Sequence, residues 1–256
     1  MKEKTQIFFK EHIAGNLVEK KYKILMSDET KERIENIKKT MEENKGLNFI
    51  IYFNHISFAD PLLAGHIATL IDPNNTRKLI APVSYSHTEL KAKNSGTWGM
   101  KKIIEICGVE THRVVQAYQI NDSNKEESFR INKKYLNRLR ELKKLEMPVC
   151  LLISPEGHRS EGALEKGEEG VALSGKILAP TAYIPIGIIY NETYNRSSLN
   201  FGKKLTLSVG EMYIQEIGKK REEIFSILMN NLANALPVEM RGVYSNNIAD
   251  IPEIRK

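Results

Sequence analysis

Apolar positions recur along this chain with two spacings, and these divide it into alternating strands and helices. Short apolar runs at residues 49–53, 79–83, 149–153, 181–190 and 205–209 are rich in β-branched and aromatic residues and are bounded by polar or glycine-containing stretches, the pattern of buried strands. Elsewhere apolar residues fall three and four apart, as on one face of a helix. Such faces are Ile34, Ile37 and Met41 in residues 28–43, and Leu62, Leu63, His66, Ile67 and Leu70 from residue 60 onward. Met100, Ile103, Ile104 and Cys107 form another in residues 98–107, closed by Gly108. The face of residues 125–145 carries Ile131, Tyr135, Leu139 and Leu142, and that of residues 219–236 carries Ile224, Ile227, Leu228, Leu232 and Leu236. A further helix leads through Leu178 to the strand that follows. Near the N-terminus, Phe9, Ile13 and Leu17 stand four apart with lysines around them, so residues 5–20 read as amphipathic.

Strands alternating with helices predict an α/β domain with a mostly parallel central sheet flanked by helices. A helical N-terminal segment, residues 1–45, is expected ahead of the domain at residues 46–256. Composition supports a folded chain: of 256 residues, 41% are hydrophobic and 27% charged, which excludes a disordered class. The net charge of +6 favours anionic partners. Nucleic acid, acidic lipid headgroups and phosphorylated small molecules all satisfy it, but no nucleic-acid-binding motif accompanies the charge, so none is expected as a partner. No run approaches the roughly 20 apolar residues of a membrane span, and the start of the chain lacks the apolar core of a signal peptide. A cytoplasmic, non-spanning protein is the expectation. Cys107 and Cys150 lack metal-ligand spacing and lie among apolar residues, so they read as buried thiols, with no metal or cofactor implied.

Chemistry gathers where the first strand ends. Residues 49–53 turn abruptly polar at Asn54 and His55, and Asp60 follows with Pro61 at the start of a helix. A histidine and a carboxylate thereby meet at one strand-to-helix corner, on the ligand side of such sheets. Taken singly, each has a plainer reading: Asp60 before Pro61 suits an N-cap, and Asn54 suits a turn.

Taken together, Asn54, His55, Ser57, Asp60 and Pro61 resemble the first signature of the glycerolipid acyltransferase family, the lysophosphatidic acid and glycerol-3-phosphate acyltransferases. Three further stretches resemble the family's signatures in order. Gly108 to Arg113 fits the second loosely, one residue short and with a polar middle. Ser154-Pro155-Glu156-Gly157-His158-Arg159-Ser160 is similar to the third, with Ser154 and His158 as departures. Ile184-Pro185-Ile186 matches the fourth, a proline in an apolar strand that marks a bend or edge at the acyl pocket. Where family members carry an Ala-Lys pair in the second strand, Ala81 is followed by Pro82, and Lys78, Lys91 or Lys93 stand as substitutes for that phosphate contact.

The resemblance covers roughly residues 49–209 and implies an acyltransferase using acyl-CoA or acyl carrier protein as donor. His55 and Asp60 are the implied catalytic pair. Asn54, Ser57, Arg113, Glu156, Gly157, Arg159, Ser160 and Pro185 are placed with substrate. The form around Glu156 is more similar to enzymes acylating lysophosphatidic acid, with glycerol 3-phosphate or another lysophospholipid as the alternative acceptor. A lipid-binding module without catalysis is a rival class, but it has no need of both His55 and Asp60. Arg159 offers planar donors that can fork onto phosphate. Glu156 can orient that arginine or meet a glycerol hydroxyl.

An insoluble acceptor, the basic balance and the stretch from Ile7 to Val18 together imply a peripheral protein at a membrane surface. Sedimentation with anionic vesicles at low salt is expected to carry the protein down, and high salt or neutral vesicles to release much of it. Phe9→Glu with Ile13→Glu is expected to weaken this binding. Lost thermal stability in that double variant, with no vesicle binding by the parent, would instead assign the stretch to the core.

Overall fold

The computed structural model describes residues 16–84 and 108–245. Most of the amphipathic stretch at residues 5–20, the expected helix at 98–107, Lys91, Lys93, Cys107 and the tail at 246–256 lie outside those residues. The described elements run α1 (Asn16–Lys21), β1 (Lys23–Leu25), α2 (Asp28–Glu43), β2 (Asn48–Phe53), α3 (Asp60–Ile71), β3 (Lys78–Ser84), β4 (Glu110–Val114), α4 (Lys125–Lys144), β5 (Val149–Ile153), α5 (Gly170–Leu178), β6 (Thr181–Tyr190), β7 (Lys204–Val209), β8 (Tyr213–Ile214) and α6 (Arg221–Asn234). None of the described helices is long and apolar enough to cross a membrane.

The eight strands form one sheet in the order β1-β7-β6-β2-β5-β3-β4, with β8 beside β6. All pairings are parallel except those of β6 with β7 and β8, so the expected α/β architecture is the observed one. β2 sits at the centre because every residue in it is buried. Phe49, Ile51 and Phe53 join the core beneath α1, α2 and α3, whereas Ile50 and Tyr52 join the core beneath α4, α5 and α6. Burial on both faces explains why this strand reads as an unbroken apolar run. A buried asparagine closes each end of it. Asn48 donates to the Leu178 carbonyl at 2.6 Å and accepts from Val149 N–H at 2.8 Å; Asn54 pairs with Ile188 of β6.

Several expectations are corrected in detail. Residues 23–25, inside the segment expected to be helical, form a strand paired with β7. Asp60 is the first residue of α3 and not its N-cap, a position held by Ala59 without a side-chain bond. Ile131 and Ile227, expected in the core, are only half-buried. Pro185 lies inside β6, opposite Tyr52 of β2, and is not at an edge. Its carbonyl accepts from Gly210 N–H at 2.9 Å, so its nitrogen faces that same side. There β6 changes partner, from β8 at Tyr183 to β7 at Ile186. A residue without an N–H fits this gap in the ladder.

β4 closes one side of the sheet, and Glu110 at its start fastens it. The Glu110 carboxylate meets Arg138 Nε at 2.8 Å, His112 Nε2 at 2.6 Å and the ammonium of Lys78. Arg138 first, then Lys78 and His112, hold this carboxyl down at about 2 against the opposing effect of burial. The unfolded chain, with the ordinary value near 4.5, binds the proton first as pH falls. The stabilisation is therefore complete above about pH 4.5 and is lost as pH drops toward 2. In thermal melts, Glu110→Gln is expected to lie below the parent at pH 6, and the two are expected to converge by pH 2. Equal melting temperatures at pH 6 would remove Glu110 from the support of β4.

Candidate active site

The corner after β2 is shaped by one carboxylate. Asp60 is fully buried, and its Oδ2 accepts the N–H groups of Ile56 and Ser57, each at 2.6 Å, together with His55 Nδ1 at 3.1 Å. Burial pushes the Asp60 carboxyl up; the bonds and charge of His55 and the two backbone N–H groups pull it back. Because Asp60 accepts at Nδ1, the proton of a neutral His55 ring sits on that nitrogen and Nε2 is left basic. The phenols of Tyr22, Tyr190 and Tyr194 are raised chiefly by burial and further by the charge of Asp60.

The loop after β5 holds the same corner from the other side. Glu156 is buried, and its two carboxylate oxygens accept His55 N–H at 2.8 Å and Glu165 N–H at 3.0 Å. Ser160 N–H donates to the His55 carbonyl at 2.7 Å. The His55 backbone is therefore gripped at both its donor and its acceptor. Glu156 does not orient Arg159, and no surface pair joins them. Burial raises the Glu156 carboxyl, and the N–H groups of Glu165 and His55 oppose it.

His55 and Arg159 both line a cavity of about 610 Å³ over the C-terminal ends of β2, β3, β4 and β5, within the usual range for a ligand site. Its walls are largely apolar: Phe53 and Leu152 from the strands, Leu136 from α4, Val171 from α5. The Arg159 guanidinium lies 5.9 Å from the centre of the Phe58 ring and donates through Nη1 to the Arg196 carbonyl at 2.7 Å. Among the described residues no carboxylate pairs with it.

The remaining candidates divide. Gly157 lines the cavity at φ 70°, and a Cβ there would fall 2.6 Å from Gln116 Oε1, so its lack of a side chain makes room for an amide of the protein itself. Both ends of the Asn54 amide bond Ile188, donating at 3.0 Å and accepting at 2.8 Å. Ser57 is fully buried, and its Oγ accepts from Ala59 N–H at 3.2 Å. Those two, with Glu156 and Ser160, build the corner instead of facing the cavity. Arg113 is exposed on β4, and Pro185 lies beyond β2 from the cavity; neither lines it. Lys78 stands at the opposite end of β3, on Glu110.

Residues 115–120 form a cavity wall that no motif marked. Asn132 of α4 takes over both backbone groups of Val115, accepting at 2.8 Å and donating at 2.9 Å, so β4 stops at Val114 and the next residues fold over the opening. His158 is held between the Glu156 carbonyl at 2.8 Å and Glu165 Oε2 at 2.9 Å. Among the described residues no group of three His, Cys, Asp or Glu is placed to hold a metal ion.

Compared with known proteins, the sequence matches no family model and no curated protein. Among solved structures, the crystal structure of the 1-acyl-sn-glycerophosphate acyltransferase PlsC from Thermotoga maritima is similar over 91% of this chain and 83% of its own, with 14% identity and a TM-score of 0.49.

Glu156→Gln offers one of the two backbone N–H groups an amide NH2 in place of an oxygen. It is expected to cost about 1–3 kcal/mol in urea denaturation, the penalty for a buried donor left unpaired. Unchanged stability would mean that Glu156 does not hold the corner.

Proposed function

We propose that this protein is an O-acyltransferase moving a fatty acyl group from a thioester donor, acyl-CoA or acyl carrier protein, to the hydroxyl of lysophosphatidic acid, at a membrane surface. The observation that carries this reading is the His55 Nδ1 to Asp60 Oδ2 contact of 3.1 Å beside a largely apolar cavity. Its four-part sequence resemblance adds the reaction class. In this mechanism His55 Nε2 takes the proton of the acceptor hydroxyl while the oxygen attacks the thioester carbonyl. Asp60 fixes the ring's tautomer and steadies the imidazolium that forms. The tetrahedral intermediate then collapses, the carbon–sulfur bond breaks, and the leaving thiolate takes the proton from His55. An ester and a free thiol result, with no acyl-enzyme required. Arg159 meets the acceptor's phosphate, for which a guanidinium without a carboxylate partner is suited. The apolar walls take the acyl chain.

The test incubates purified protein with palmitoyl-CoA and, separately, lysophosphatidic acid, glycerol 3-phosphate and neutral lysophospholipids, following thiol release and lipid product. His55→Ala is expected to lower the rate about 100- to 10,000-fold while remaining folded, with Asp60→Asn also impaired. Arg159→Ala is expected to raise the acceptor KM and leave the donor KM unchanged. Full activity in folded His55→Ala protein would remove the mechanism.

A further inference from the structure

The loop joining β6 to β7, residues 191–203, touches both halves of the site. The Arg196 carbonyl accepts two donors: Phe58 N–H at 3.0 Å, three residues past His55, and Arg159 Nη1 at 2.7 Å. The exchange is reciprocal, because Arg196 Nη2 donates to the Arg159 carbonyl while its Nη1 reaches Glu161 at 3.1 Å. Four residues on, Asn200 Nδ2 donates to Ser57 Oγ at 2.8 Å, the hydroxyl that also receives Ala59 N–H.

The loop is fixed enough to transmit position. Asn200 is buried and left-handed, at φ 53°. Its amide donates to the Asn195 carbonyl at 2.9 Å and accepts from Asn195 N–H at 2.8 Å, so the loop is closed on itself by the same side chain that reaches Ser57. The kind of acceptor that Arg196 presents also matters. A carboxylate would fix Arg159 but neutralise it, whereas a carbonyl fixes one of its five N–H groups and leaves the charge for a ligand.

We propose that this loop is the positioning element of the acceptor site: Arg196 and Asn200 set the placement of the Arg159 guanidinium relative to His55, and thereby which acceptor brings its hydroxyl to the base while its phosphate meets the cation. This rests on the acyl-transfer reading. Neither residue touches the reacting atoms; the Arg196 side chain acts through Arg159, and Asn200 acts through the loop it closes and through Ser57.

The test compares Arg196→Ala, Arg196→Lys, Asn200→Ala, Arg159→Ala and the double variant Arg159→Ala with Arg196→Ala. Misplacement on the ångström scale costs up to about 100-fold, so Arg196→Ala is expected to lower acceptor kcat/KM by roughly 10- to 100-fold with donor KM unchanged, and Arg196→Lys to recover part of the loss. Asn200→Ala is expected to narrow the preference between lysophosphatidic acid and glycerol 3-phosphate. The double variant is expected to be no worse than Arg159→Ala, since the effect of Arg196 passes through Arg159. Multiplying losses in the double variant, or reduced melting temperature with unchanged acceptor kinetics, would overturn the proposal. A readout independent of activity is the Arg159 Nε–Hε signal of 15N-arginine-labelled protein, which is expected to report greater mobility in Arg196→Ala and Asn200→Ala. If the parent transfers no acyl group, the acyl-transfer reading fails by itself; an Arg159 signal unaffected by both substitutions would sink the loop's positioning role in either case.

Discussion

A carboxylate removed from water carries a large desolvation penalty that donors offset, and the site depends on how Asp60 meets that demand at Oδ2, its Oδ1 being buried without a partner among the described residues. Its Oδ2 collects two backbone N–H groups and an imidazole N–H within 3.1 Å. To supply them, the backbone at Ile56 and Ser57 must turn inward and the His55 ring must lie against the carboxylate. The geometry of the corner is thus imposed by the electrostatic needs of one buried charge. Glu156, the second buried carboxylate, applies the same constraint to the His55 backbone from the β5 loop. Two segments about a hundred residues apart are joined in this way without a contact between the side chains of His55 and Arg159.

Much of this was legible in the sequence. β2, β5 and β6 are buried on both faces, so their apolar runs are continuous and their positions plain; α2 and α4 have one clear stripe each. His55 and Asp60 could be paired because only five positions separate them, and their flanking strand and helix set the direction of approach. Arg159 was equally readable from its neighbours Glu156 and Gly157.

What stayed hidden depended on partners distant in sequence. β1 and β8 are too short to carry a pattern, and they exist because β7 and β6 offer them free ladders. Nothing local says that the Asn54 amide is taken by Ile188, or that Glu156 reaches two backbone N–H groups and leaves Arg159 to the Arg196 carbonyl. Pro185 was read as a bend or an edge by a sound rule, and the rule holds in an unexpected form: the missing donor faces a change of partner within the sheet. The wall at residues 115–120 arises because Asn132 ends a strand from across the fold, an event with no trace in the strand's own residues.

The carbonyl that anchors Arg159 also bears on how the site would respond to acidity. A guanidinium keeps its charge across the physiological range, and among the described residues no carboxylate forms an ion pair with this one. A phosphomonoester, by contrast, passes from one to nearly two negative charges around pH 6. In the acyl-transfer reading, Arg159 is the constant member of that contact, and the acceptor's phosphate is the member whose charge changes with acidity. The cation then acts as a fixed reference against which the substrate's own ionisation is sensed.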